Sequence, residues 1–191
     1  SMAFQFQSIG AVAPSIMSGY SASLADIGLL ISLYLSPGLV FALPGGEIGR
    51  RFGDRPTVVF GLALMLVGGL IMAFGTTWSA QLAGRLVAGV GGVLLNVLMS
   101  KMITDWFAGK EIASAMAIFV NSWPIGIALA LVVLPSVATS YGPMGVHLLA
   151  AALALAGLAL MRLYRSPPGV AGKSAAATWP SGHALAAVVV A

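Results

Sequence analysis

Apolar residues run along this chain in long blocks broken by short polar stretches: 2–17, 27–46, 57–75, 80–102, 113–137 and 145–163, with a seventh block opening at Ser181. About 20 apolar residues in helical conformation cross the hydrocarbon core of a bilayer, whereas a barrel strand needs about half that number and alternates apolar with polar positions. None of the blocks alternates, so the pattern predicts six membrane helices, the first of them short, and the beginning of a seventh. Residues 1–163 are then an all-α integral membrane unit, a six-helix transmembrane bundle with a truncated first helix. Residues 164–180, rich in Ala, Gly and Pro, are expected to form a linker, and 181–191 the start of the next helix of a longer protein.

Composition narrows the picture to the bilayer. With 59% hydrophobic residues and a mean hydropathy of +1.01, the chain has too little polar surface to cover a water-soluble fold of 191 residues. The absence of cysteine removes disulfides, thiolate metal sites and cysteine nucleophiles. No HExxH, acidic cluster or Ser-His-Asp set is present, and Gly89-Val90-Gly91-Gly92 lies inside an apolar block with no strand before it, so it is no dinucleotide fingerprint. An enzyme, a metal site and a cofactor are therefore not expected.

Charge sets the sidedness. If the blocks are helices, Arg50, Arg51 and Arg55, then Lys101 and Lys110, then Arg162, Arg165 and Lys173 all fall at one end of the bundle. The loops at the other end, around residues 18–26, 76–79 and 138–143, carry no Lys or Arg. The positive-inside rule makes the basic end cytoplasmic and the protein a multi-pass protein of the cell membrane. The formal net charge of +4 is thus topological, and a nucleic-acid partner, which would want a solvated basic face, is not expected.

The stretch 45–56, GGEIGRRFGDRP, concentrates five charges in a chain whose charged fraction is only 7%. Glycines allow a tight turn between two helices, and Pro56 suits a first helical turn, where its missing N–H is no loss. Such a turn serves either as a plain basic anchor or as a latch. Glu47 stands four residues before Arg51, and Arg50 four before Asp54, so opposite charges can pair across a helical turn. Gly46, Glu47, Arg50, Arg51, Gly53, Asp54 and Arg55 are accordingly the candidate cytoplasmic gate.

Inside the blocks, polar residues are scarce. Arg85 is the one ionisable side chain deep in a span, which marks it either as a functional group facing a cavity or as a side chain snorkelling to the outer interface. Ala80, Gly84, Ala88 and Gly92 recur every four residues, a small-residue ladder that lets a neighbouring helix approach closely beside Arg85. Gln5, Gln7, Asn96 and Asn121 carry amides that need partners, which another helix or a substrate can supply. Together with Arg85 and Trp123 they are the candidate substrate site, suited to an anion. Pro37-Gly38 and Pro124-Ile125-Gly126 interrupt the second and fifth spans. His147 is expected at the outer interface, and Asp26 and Asp105 in water at span edges.

The segment Gly46 to Arg55 resembles the loop between the second and third helices of the major facilitator superfamily, Gly-x-x-x-Asp-Arg-x-Gly-Arg-Arg. Gly46, Arg51, Gly53 and Arg55 match, while Arg50 occupies the Asp slot and Asp54 an Arg slot. Arg85 to Gly92 resembles the fourth-helix motif Arg-x-x-Gln-Gly-x-Gly with Ala88 for Gln, and Gly84, Gly89, Gly91 and Gly92 are then helix-packing positions. Residues 4–14 and 121–126 are similar to porters of cyanate or nitrate/nitrite. Trp123 to Gly126 keeps only a fragment of the Gly-Pro-x-x-Gly-Gly signature of drug/proton antiporters. The resemblance implies the N-terminal half of a 12-helix major facilitator fold, a secondary transporter working by alternating access. Its partners would be a small-molecule substrate, the bilayer and a carboxy-terminal half, with a coupling proton left open. Another organic solute, or a non-transporting sensor or scaffold on the same bundle, stays open beside a small anion.

Overall fold

A computed structural model describes residues 1–107 and 111–164, without the side chains of Ala42, Leu43 and Arg50. Lys110, Arg165, Lys173, most of the expected linker and the expected seventh helix lie outside the described residues. Every regular element among the described residues is an α-helix: α1 (Met2–Tyr20), α2 (Leu24–Leu35), α3 (Pro37–Phe52), α4 (Asp54–Phe74), α5 (Trp78–Trp106) and α6 (Ile112–Met161).

These helices map onto the apolar blocks with two differences. The second block is divided at Ser36, with Pro37 in the first turn of α3, where its lack of an N–H costs nothing. The helix then continues through Phe52, so the expected charged loop is the end of α3 and the connection shrinks to Gly53. Gly53 has φ 89° and ψ 149°, a region closed to side chains, which is why a glycine separates the charged helix end from Asp54.

The second difference is in α6. At 50 residues it would be about 75 Å long if straight, far more than a bilayer's hydrocarbon thickness. It breaks at Gly142 (φ 66°, ψ −170°), giving the fifth and sixth spans. Pro124 and Pro135 lie within the first limb without interrupting its helical backbone, and the non-helical residue, Gly142, falls in the connection expected at 138–143.

Stretches of 18 residues or more within Leu24–Phe41, Asp54–Phe74, Trp78–Trp106 and Ile112–Met161 are long and apolar enough to cross a membrane. Helices α4 and α5 meet backbone to backbone. A Cβ added to Gly68 would lie 2.5 Å from the Gly84 carbonyl oxygen and 2.7 Å from the Ala88 nitrogen. Without a hydrophobic drive between helices in lipid, this close approach is what holds them. Helix α1 packs chiefly against α6, and α4 against both α5 and α6. One apolar cluster gathers Ile9, Val12, Leu30, Met72, Leu134 and Val146. A second gathers Val58, Leu62, Met65, Leu98 and Ala154.

Candidate functional site

Arg85 is entirely buried. Its Nε donates to the Leu30 carbonyl at 2.9 Å, its Nη1 to the Gln5 carbonyl and its Nη2 to the Phe6 carbonyl at 2.7 Å. The guanidinium carbon stands 4.7 Å from the centroid of the Tyr34 ring. Arg85 therefore ties α5 to α1 and α2 at once. The small residues beside it make this feasible: a Cβ on Gly89 would lie 2.6 Å from the Tyr34 carbonyl oxygen, and one on Gly92 2.7 Å from the Tyr34 hydroxyl. Any larger residue there would push α2 away and open the ring of acceptors.

No carboxylate partners this guanidinium among the described residues. Asp26 closes a capping box with Ser23, Glu47 pairs with Arg51, and Asp54 and Asp105 hold Lys101. A full positive charge in an apolar bundle is thus carried by carbonyl dipoles and an aromatic face, both weaker than an ion pair. Three of the five N–H groups of the fork are committed by the bonds above, which leaves two to donate elsewhere.

Around it lie buried polar atoms without partners. Gln5 donates Nε2 to the Met65 carbonyl at 3.0 Å, yet its Oε1 is buried and unbonded. Gln81, one turn before Arg85, donates to the Met72 and Gly75 carbonyls, both at 3.1 Å, and its Oε1 is also unbonded. His147 is only 2% exposed, with Nδ1 unbonded. The expected interfacial position of His147 is corrected: after the break at Gly142, the second limb of α6 turns into the bundle and carries the imidazole inside.

The other candidate residues are distributed unevenly. Trp123 reaches the centre through a row of rings, 5.6 Å from Phe6, which is 6.0 Å from Tyr34. Gln7 is half-buried and lies back over Gly10 of its own helix. Asn96 is exposed eleven residues beyond Arg85, about 16 Å along the axis of α5. Asn121 is also exposed, and its Nδ2 donates to the Ala117 carbonyl of its own helix at 2.9 Å. The structure thus brings Gln5, Trp123 and Arg85 together, and leaves Asn96 and Asn121 on open faces. Tyr34, against the guanidinium, and Gln81, one turn before it, went unseen in the sequence, and His147 was read as interfacial, because amide and imidazole side chains near span ends read equally well as interface residues.

At the basic end, Arg51 Nε donates to Glu47 Oε1 at 2.9 Å on an exposed face. Asp54 pairs with Lys101 of α5, whose Nζ donates to Asp54 Oδ2 at 2.6 Å and to Asp105 Oδ2 at 2.9 Å. The side chain of Arg50 lies outside those described. Asp105, expected in water, is half of this clamp, and its spacing of four from Lys101 is the signal that could have found it. Gly46 faces open space, whereas a Cβ on Gly49 would lie 3.2 Å from Asp54 Oδ1, which is buried without a partner. Gly84, Gly89, Gly91 and Gly92 all sit at close helix contacts.

The sequence profile described as Major Facilitator Superfamily matches residues 1–189. The chain belongs to the Major Facilitator Superfamily. Similar members of that superfamily include the inner membrane transport protein YajR of Escherichia coli K12, 31% identical over 75% of this chain and 31% of its own length. The probable anion transporter 4, chloroplastic, of Arabidopsis thaliana is 27% identical over 71% of the chain and 26% of its own length. The multidrug transporter mfsC of Aspergillus fumigatus is 28% identical over 68% and 25%. The matched stretch spans less than a third of these curated relatives. Membership of the superfamily and the long apolar helices make this a multi-pass membrane protein.

Proposed function

We propose that the chain is the amino-terminal six-helix half of a secondary active transporter that moves a small anion across the cell membrane by alternating access, its basic end in the cytoplasm. The observation that carries this is Arg85: a buried guanidinium with two free N–H groups and no carboxylate among the described residues. An anion is the partner such a charge lacks, and a bidentate one fits a planar fork. The printed name of the Arabidopsis relative, and of the hexuronate transporter of Bacillus subtilis, 26% identical over 61% of the chain, support an anionic solute.

In this mechanism the carbonyls of Gln5, Phe6 and Leu30 hold Arg85 when the bundle is sealed, and the substrate competes for the same fork when α1 moves. Gln5 and Trp123 line the approach, with Gln7, Asn96 and Asn121 on faces turned to the second half of the protein. Glu47–Arg51 and the Asp54–Lys101–Asp105 clamp bias the basic end between its states, which only contacts that differ between those states can do. Residues 164–180 link to the second half, whose first helix opens at Ser181. A coupling proton would be carried by His147, a buried imidazole with an unbonded Nδ1.

A second reading has its own observation: because the carbonyls already satisfy three donors, Arg85 serves as a clamp between α1, α2 and α5 in a porter of a different organic solute. Uptake of radiolabelled cyanate, nitrate and a panel of organic anions, in cells making the full-length protein with and without an uncoupler, separates the two. Saturable uptake of one anion, abolished in Arg85→Gln while the protein still inserts, is the expected result. Uptake that survives in that variant overturns the anion site.

A further inference from the structure

A cleft of about 440 Å³ opens at the basic end between the first turn of α4 and the last turns of α6. Arg55 and Arg162 stand in its wall, and Val59, Leu155, Leu158 and Ala159 form an apolar strip below them. Both arginines are exposed, and neither has a carboxylate partner among the described residues. Asp54, next in sequence to Arg55, is turned to Lys101 instead. Of the carboxylates at this end, Glu47, Asp54 and Asp105 are thus engaged elsewhere, and Glu111, at the start of α6, pairs with neither arginine.

Depth is marked independently. Trp106 Nε1 donates to Tyr164 Oη at 3.2 Å, an aromatic pair at the same end of the bundle, two residues beyond Arg162. Such rings sit at the headgroup level of a bilayer. Two unpaired cations therefore lie where lipid phosphates lie, directly above an apolar strip that runs toward the hydrocarbon. Basic pockets between helices on the cytoplasmic side suit anionic headgroups, and a free anion would gain nothing from the strip.

We infer that this cleft seats one anionic diacyl phospholipid, its phosphate between Arg55 and Arg162 and one acyl chain along Val59, Leu155 and Leu158. The lipid would then brace α4 against the end of α6, next to the clamp formed by Asp54. The inference needs only that the basic end lie at a headgroup layer, and so it stands or falls separately from the choice of solute.

The test is native mass spectrometry of the full-length protein in detergent, titrated with dioleoyl phosphatidylglycerol, with dioleoyl phosphatidylcholine, and with glycerol phosphate. Phosphatidylglycerol should be retained about tenfold more strongly than phosphatidylcholine, and the double variant Arg55→Gln, Arg162→Gln should lose that preference. Ala159→Trp, which fills the strip and leaves both charges, should weaken both lipids. Equal retention of the two lipids by the unmodified protein, undiminished preference in the double variant, or unchanged retention in Ala159→Trp overturns the lipid seat. Glycerol phosphate bound as well as phosphatidylglycerol also overturns it, leaving a phosphate site only. Binding is read without transport, so a failed uptake assay and a failed lipid assay remain distinct.

Discussion

Arg85 and Lys101 lie on the same helix, and the protein treats their charges in opposite ways. Arg85 is fully buried and is met by three carbonyls and a ring face. The Lys101 side chain is 36% exposed and is met by two carboxylates. An ion pair in water or near it costs little to build and contributes little, whereas an uncompensated charge in an apolar interior is costly and persists where something uses it. The contrast separates a centre built around an unmet charge from a clamp built around a met one.

The largest effect that would sharpen this contrast is expected from Arg85→Lys. It keeps the charge and loses the planar fork, so it cannot hold three carbonyls and offer two further N–H groups at once. Anion uptake by the full-length protein should fall by at least about tenfold even though insertion is unchanged. Uptake near the original level would make Arg85 a point charge like Lys101 and dissolve the difference.

Next in size, one substitution can be placed in both regions. Gly68→Ala puts a methyl group against the Gly84 carbonyl and the Ala88 backbone beside the centre, whereas Gly46→Ala at the basic end meets nothing within 4 Å. The first should cost about 1–3 kcal/mol and lower the melting temperature in detergent, and the second should leave it in place. Equal shifts would mean that α4 and α5 do not meet as closely as described.

Lys101→Gln should cost about 1 kcal/mol, because it leaves Asp54, already holding one unbonded buried oxygen, without its cation. Added salt should narrow the difference between that variant and the unmodified protein, since the clamp is partly solvated, and should leave the effect of Arg85→Lys unchanged. The smallest effect belongs to Glu47→Gln. The pair it makes with Arg51, itself 72% exposed, contributes little, so losing that pair should shift the melting temperature less than losing the Lys101 clamp. A large shift there would show that the exposed pair, and not Lys101, secures the basic end.

Much of this could be read without coordinates. The positions of the spans, the membrane class, the clustering of basic residues at one end and the family motifs are all local properties. Run length, loop charge and short spacings are written in adjacent residues, and a bilayer rewards them wherever the helices later pack. That Arg85 stands apart was legible for the same reason, since an arginine in an apolar run is conspicuous whatever surrounds it.

What surrounds it was not legible. Its acceptors lie 55, 79 and 80 residues away, and Asp54 finds Lys101 47 residues away. Such partners depend on which helix faces meet, and those faces are chosen by glycine contacts between backbones, as at Gly68 with Gly84 and Gly89 with Tyr34. The burial of His147 likewise depends on the turn at Gly142 sending a second limb back into the bundle. The sequence by itself determined that this protein crosses the membrane, with which end basic, and that one charge stands deep in a span. Only the tertiary structure decided what that charge holds and which carboxylates close the basic end, because helix packing, unlike run length, is a non-local agreement among surfaces.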